Sequence, residues 1–121
     1  MSVLRADAVF DAAMGLLLLA ATWDGLYEAL GLPVARPALY AQLAGGLLLA
    51  YAYLLWSSDD RRRLAAVTAT VNAFAVVVLA VWLLSGKLGA ETLGEVILWL
   101  AAAVLVVFAL LEVRLARERD A

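Results

Sequence analysis

Four long apolar segments, separated by short polar breaks, follow one another along the chain. They lie at about 8–30, 37–56, 62–84 and 93–113, and each is close to the roughly 20 residues that a helix needs to cross a bilayer. The breaks are so short that successive helices must run antiparallel. The pattern therefore predicts an all-α fold, an integral membrane four-helix bundle in up-down-up-down order, as a single transmembrane domain over residues 1–121.

The composition indicates that lipid is the solvent for most of these side chains. The chain is 67% hydrophobic and 17% charged, with a mean hydropathy of +0.98. Soluble domains are about 45–50% apolar and about 25% charged. A soluble core of this length could not hide so much apolar surface, because small domains leave a large share of their chain exposed. We therefore expect the lipid bilayer as a partner and a multi-pass location in the cell inner (plasma) membrane.

Basic residues divide unevenly between the two sides of such a bundle. If both termini lie on one side, that side holds seven arginines: Arg5, Arg61, Arg62, Arg63, Arg114, Arg117 and Arg119. The other side holds only Arg36 and Lys87. Short loops richer in Lys and Arg stay in the cytoplasm. The distribution therefore predicts that both termini are cytoplasmic.

Two residue types that carry much protein chemistry are missing from the sequence. There is no cysteine and no histidine, which excludes disulfides, thiolate nucleophiles and Ser-His triads within one chain and removes the commonest transition-metal ligand. No phosphate loop, zinc spacing or dinucleotide fingerprint is present. We predict no catalytic residue, no metal site and no cofactor. A net charge of −2 without a basic stripe indicates no nucleic-acid partner.

Two carboxylates near the end of the first segment are the first candidates for a site. Asp24 and Glu28 are four residues apart, so one helical face carries both, and an ionisable side chain at membrane depth marks a functional site by default. The pair could bind a cation, relay protons or hold an amine-bearing ligand. In the structural alternative, Glu28 is simply hydrated and Asp24 accepts hydrogen bonds from Gln42, Tyr40 or a tryptophan N–H.

Other polar and aromatic residues extend this hypothesis. Gln42 and Asn72 are uncharged polar residues at depth, for which interhelical hydrogen bonding is the structural explanation. Trp23 and Trp99 lie deeper than an interfacial aromatic belt, which is the alternative for tryptophans. If these side chains converge with Asp24, they line a polar cavity in the outer half of the bundle. The predicted ligand-binding set is Asp24, Glu28, Gln42, Asn72, Trp23, Trp99 and Tyr40.

On the inner side, Asp11 and Glu112 fall close to the arginine cluster at 61–63 and to Arg114. We expect interfacial ion pairs there, and no chemistry. The second segment contains Gly45-Gly46, and small residues let helix backbones approach closely in lipid. We expect this face, Gly46 included, to pack against a neighbouring helix.

Two runs of sequence carry a resemblance to a known family. The run from Gly15 through Gly31-Leu32-Pro33, and then Gln42-Leu43-Ala44-Gly45-Gly46 opening an apolar helix, resembles small four-helix bacterial membrane proteins of the DoxX-like kind. The similarity covers about half of the chain. It implies a four-helix membrane fold and an association with quinone-linked redox complexes.

Two functions remain open at this point, and a membrane enzyme comes third, because general acid–base residues are few. The first is a binding or transport module, alone or as a homo-oligomer, that holds a small cationic or amphipathic ligand in the outer half of the bundle. The second is a non-catalytic accessory or assembly subunit of a larger membrane complex, quinone-linked if the resemblance holds. A polar cavity that reaches Asp24 would favour the first. A lipid-facing stripe of small residues without a cavity would favour the second.

Overall fold

The computed structural model describes residues 2–34 and 37–118. This part of the chain is all-helical, as predicted. Its α-helices are α1 (Val3–Leu19), α2 (Asp24–Leu30), α3 (Leu39–Ser57), α4 (Arg61–Ser85) and α5 (Thr92–Arg117). Three of them, α3, α4 and α5, are long and apolar enough to cross a membrane.

The first apolar segment does not form one helix over 8–30, so that prediction is wrong. Helix α1 ends at Leu19, a 3₁₀ turn follows at Ala20–Thr22, and α2 begins at Asp24. Trp23, between the turn and α2, has a non-helical backbone (φ −89°, ψ 81°). Asp24 and Glu28 therefore belong to a short separate helix.

Side chains from elsewhere in the fold stabilise this break. The Tyr27 hydroxyl donates a hydrogen bond to the carbonyl of Leu17 (2.6 Å), and the Gln42 amide donates one to the carbonyl of Leu19 (3.2 Å). The last carbonyls of a helix lack intrahelical donors and need such partners. The break is thus fixed by contacts between elements, which local sequence does not reveal.

Helix α2 ends at a glycine with a left-handed backbone. Gly31 has φ +70°, the left-handed conformation that favours glycine. Its N–H donates to the carbonyl of Glu28, and the Leu32 N–H donates to the carbonyl of Tyr27 (2.9 Å). The Gly31 carbonyl in turn accepts a hydrogen bond from the Glu91 N–H (2.9 Å), which ties the α2–α3 connection to the start of α5.

The long helices pack as two pairs, α1 along α3 and α4 along α5, with α1 also touching α5. Helices α1 and α3 meet at Gly15 and Gly45. A Cβ added at Gly45 would lie 2.6 Å from the carbonyl oxygen of Gly15. At Gly46, no atom of another helix lies within 4 Å of the corresponding position. The expectation that Gly46 packs is wrong, because neighbouring helical residues point about 100° apart and only Gly45 faces α1.

Two apolar clusters occupy opposite ends of the molecule. The first joins the start of α1, the end of α3 and the start of α4, and consists of Leu4, Ala8, Ala52, Leu55 and Ala65. The second, at the α2 end, consists of Ala21, Tyr27 and Leu32, with residues from the start of α5 packed against it. Both termini of the described chain therefore lie at the end that holds the α3–α4 connection.

Candidate functional site

Buried polar side chains gather between the long helices, in the half nearer the chain termini. Among the described residues, the buried polar or charged side chains are Asp7, Asp11, Thr68, Asn72 and Glu112. Asp7 and Asp11 are four residues apart on α1, as are Thr68 and Asn72 on α4, so each pair shares a helical face. Glu112 comes from α5. Three helices thus direct polar groups into one apolar interior.

Asn72 joins these helices through its side-chain amide. The Nδ2 atom donates to Asp7 Oδ2 (2.8 Å) and to Glu112 Oε1 (2.7 Å). An amide nitrogen has two N–H donors, so both are used on carboxyl groups. Asp7 and Glu112 are 0% exposed. The amide of α4 therefore bridges α1 and α5 at a point that water does not reach.

One oxygen of each bridged carboxyl group is left over. Asp7 Oδ1 and Glu112 Oε2 are buried and have no hydrogen-bond partner. The Asp7 carboxyl group is next to that of Glu112, because both accept from the same Asn72 nitrogen, and Asp11 follows one helical turn later on α1. An ionised carboxylate only accepts hydrogen bonds. Two carboxyl groups can therefore form a hydrogen bond with each other only when one of them is protonated.

The expected ion pairs of Asp11 and Glu112 with the arginine cluster are wrong. Both carboxyl groups are buried, and the charged groups that act on each are other carboxyl groups of the same cluster. The Arg61 guanidinium donates to Ser2 Oγ instead, and Arg5 lies over the ring of Trp56 at 5.0 Å. Arg5 and Arg61 therefore make these contacts at the end of the bundle that holds Ser2 and Trp56.

A partly open cavity of about 150 Å³ lies beside the cluster, lined by residues of α1, α3, α4 and α5. Its polar wall is formed by Asp11, Tyr51 and Asn72, and the remaining lining is apolar, with Phe10 and Leu105 among it. The hydroxyl groups of Tyr51 and Thr68 are hydrogen bonded at 2.6 Å. The cavity therefore combines apolar walls with a single carboxyl group, that of Asp11.

The structure does not bring the seven predicted ligand-binding residues together. Trp23, Tyr40 and Trp99 are 62%, 71% and 43% exposed, and Glu28 is exposed on α2. Asp24 is half-buried at the first position of α2. These five side chains do not line the interior cavity.

The two predicted amides lie in different places. Gln42 binds the end of α1 through the carbonyl of Leu19. Asn72 lines the cavity and is the one member of the predicted set that does so. Ligand binding by the predicted outer residues stays a prediction, whereas the interior geometry centres on Asn72.

Sequence analysis missed Asp7 and assigned Asp11 and Glu112 to the membrane interface. One signal was present. Asp7 and Asp11 have the same four-residue spacing that drew attention to Asp24 and Glu28, and they stand at the start of the same apolar segment. The partnership with Glu112, 105 positions further along the chain than Asp7, carries no local signal.

No family model, curated protein or solved structure matches the chain. The resemblance to DoxX-like proteins stays a prediction. Any functional conclusion must therefore come from the geometry of the buried carboxyl groups and the cavity.

Proposed function

We propose that the chain is an integral membrane protein in which α1, α3, α4 and α5 cross the bilayer as an up-down-up-down bundle. The length and apolar character of α3, α4 and α5 support this architecture. Large apolar side chains on their outer faces are exposed, among them Leu47, Phe74 and Leu84, and contiguous apolar surface of this kind marks contact with membrane or protein. Helix α1 has 17 residues, or about 25 Å, and the 3₁₀ turn extends it.

The described arginines support an orientation with both termini in the cytoplasm. The membrane that we propose is the inner (plasma) membrane of a bacterial cell. Six of the seven arginines counted above belong to the described residues at the terminal end, and Lys87 lies at the opposite end. Arg36 and Arg119 lie outside the described residues. Loops rich in basic residues stay cytoplasmic, so the buried carboxyl groups lie in the inner half of the bilayer.

Within this bundle, the interior cavity binds a small amphipathic molecule that carries an amine cation. The observation that supports this function is the carboxyl group of Asp11, the one carboxyl group in a cavity wall that is apolar except for Asp11, Tyr51 and Asn72. In another protein, an apolar cavity of about 150 Å³ takes up benzene, which sets the size of the apolar part of the ligand. An ammonium group next to it would meet Asp11, and charge attraction is strong where water is excluded. The proposed binding site therefore belongs to the inner half of the proposed bundle, whereas the sequence predicted the outer half.

Benzylamine is the probe that fits this description, and benzyl alcohol is its uncharged counterpart of similar shape. Binding is measured by isothermal titration on protein in lipid nanodiscs. Asp11→Asn should weaken benzylamine binding about tenfold or more, since a hydrogen bond to a charged group contributes about 1.5–3 kcal/mol. Binding of benzyl alcohol should change little. Equal benzylamine affinity in wild type and Asp11→Asn would refute the proposal.

A second pair of variants tests the cavity itself. Ala101→Leu introduces a large side chain into the cavity wall and should abolish binding of both probes. Ala103→Leu, two residues away on the exposed side of α5, is the matched control and should bind as wild type does. If Ala101→Leu still binds benzylamine, the ligand occupies another place.

An outward groove supports a second candidate, the accessory subunit. A depression of about 400 Å³ between α4 and α5 is lined mostly by alanines, with Ala66, Ala69, Ala73 and Ala116 among its residues. Small side chains let a further helix approach closely in lipid, so a helix of a partner subunit, or of a second copy, fits this groove.

Native electrophoresis of mildly solubilised membranes tests this candidate. Wild type should migrate above the monomer size and Ala73→Trp should migrate as a monomer, whereas Ala103→Trp should behave as wild type does. Migration of the wild-type chain as a monomer would contradict the accessory role.

A further inference from the structure

We propose that Asp7 and Glu112, bridged by Asn72, form a proton-binding site in which the two carboxyl groups share one proton. This site is distinct from ligand binding at Asp11 and does not depend on it. Its basis is the arrangement of donors and acceptors around two carboxyl groups that are 0% exposed.

The two carboxyl groups have one hydrogen-bond donor too few around them. Asn72 donates one N–H to Asp7 Oδ2 and the other to Glu112 Oε1, and it has no third. Asp7 Oδ1 and Glu112 Oε2 remain buried without a partner. A buried charged group that lacks hydrogen bonds is strongly destabilising. The arrangement therefore calls for one more hydrogen-bond donor between these two residues.

A proton supplies that donor. Both carboxyl groups accept from the same Asn72 nitrogen, at 2.8 and 2.7 Å, so they are neighbours in the interior. When one is protonated, its O–H donates to the other, and the pair carries one negative charge in place of two. Asn72 then donates to both members. Carboxyl groups in close contact share a proton in this way in aspartic protease dyads.

The surroundings favour a proton over a metal ion. No group of three or more His, Cys, Asp or Glu side chains among the described residues could hold a metal. The titratable neighbours are Asp11 from α1 and Tyr51 from α3, and α4 contributes the uncharged Thr68 and Asn72. A shared proton needs no coordination shell, so the buried pair can hold it without further ligands.

Asp11 gives this proton a route to the cavity. Asp11 is one helical turn from Asp7 on the same face of α1, and it also forms part of the cavity wall. A proton that leaves the pair can therefore pass to Asp11 without crossing apolar lining.

Infrared spectroscopy of the protein in nanodiscs tests the proposal without any ligand. At neutral pH, wild type should show the C=O stretch of a protonated carboxyl group, and Asp7→Asn and Glu112→Gln should each lose it. Glu95→Gln changes an exposed residue of α5 and should leave the band intact. Absence of the band in wild type, or its persistence in both variants, would overturn the proposal.

Stability as a function of pH gives a second test. The folded pair holds a proton that the unfolded chain releases above about pH 4. The folded state then binds more protons than the unfolded state, so stability falls as pH rises. The melting temperature of wild type should decrease between about pH 5 and about pH 9, and Asp7→Asn should remove most of this slope. A flat wild-type profile would exclude the shared proton.

Discussion

Replacing Gly45 by alanine tests the crossing of α1 and α3. The new Cβ would lie 2.6 Å from the carbonyl oxygen of Gly15, 3.0 Å from Leu18 Cβ and 3.0 Å from the backbone nitrogen of Leu19. Two of these three atoms belong to the backbone, so a side-chain rotation cannot relieve the clash. The two helices must move apart.

The size of the effect follows from two opposing terms. Overpacking costs about 1–3 kcal/mol, and the clash with backbone atoms places this site in the upper part of that range. Alanine gains about 1 kcal/mol over glycine inside a helix. The net loss of unfolding free energy should therefore be about 1–2 kcal/mol.

Gly46→Ala is the matched control one residue away. Because no atom of another helix lies within 4 Å of its new Cβ, this variant should be more stable than wild type by up to about 1 kcal/mol. The unfolding free energies are measured by denaturation in mixed micelles, followed by tryptophan fluorescence. If Gly45→Ala is as stable as Gly46→Ala, α1 and α3 do not cross where the structure places them.

The remaining predictions concern hydrogen bonds and a second close contact. Asn72→Leu removes two hydrogen bonds to buried carboxyl groups and should lower the unfolding free energy by about 3 kcal/mol or more, whereas Thr70→Ala, on the exposed side of α4, should change it little. Gly94→Ala would put a Cβ 1.9 Å from the carbonyl oxygen of Gly31; it should cost about 3 kcal/mol, and a wild-type melting temperature would contradict the docking of α5 there. Tyr27→Phe removes the hydrogen bond to the end of α1 and should cost about 1 kcal/mol in the same assay.

The sequence predicted the long helices well because their signal is local. Apolar runs at about 37–56, 62–84 and 93–113 correspond to α3, α4 and α5 within two residues at most ends, although α5 continues to Arg117 on a charged last turn. The break after Leu19 could not be predicted in this way. It depends on Tyr27 and Gln42, and the partner of Gln42 is 23 residues away.

The site could be predicted only in part, for a related reason. Spacing assigns Asp7 and Asp11 to one face of a helix, but it does not say whether that face turns inward. The rotation of each helix about its axis is set by contacts such as that between Gly15 and Gly45. Once that rotation is fixed, Asn72 reaches carboxyl groups on two other helices. No pattern within a single segment contains this information.

Asp24 on the one hand, and Asp7 and Glu112 on the other, differ in whether local structure explains the presence of a carboxyl group. Asp24 occupies the first turn of α2, where a negative charge is stabilised by the helix dipole, so local structure is reason enough for it. No helix dipole of this kind explains Asp7 and Glu112. Replacing a buried charged group and its partners by well-packed apolar residues is often neutral or stabilising, and apolar side chains would suit a bundle interior in lipid. A cluster that apolar packing could replace, beside a cavity that it does not fill, supports the two proposals: a shared proton on Asp7 and Glu112, and ligand binding at Asp11 in the cavity wall.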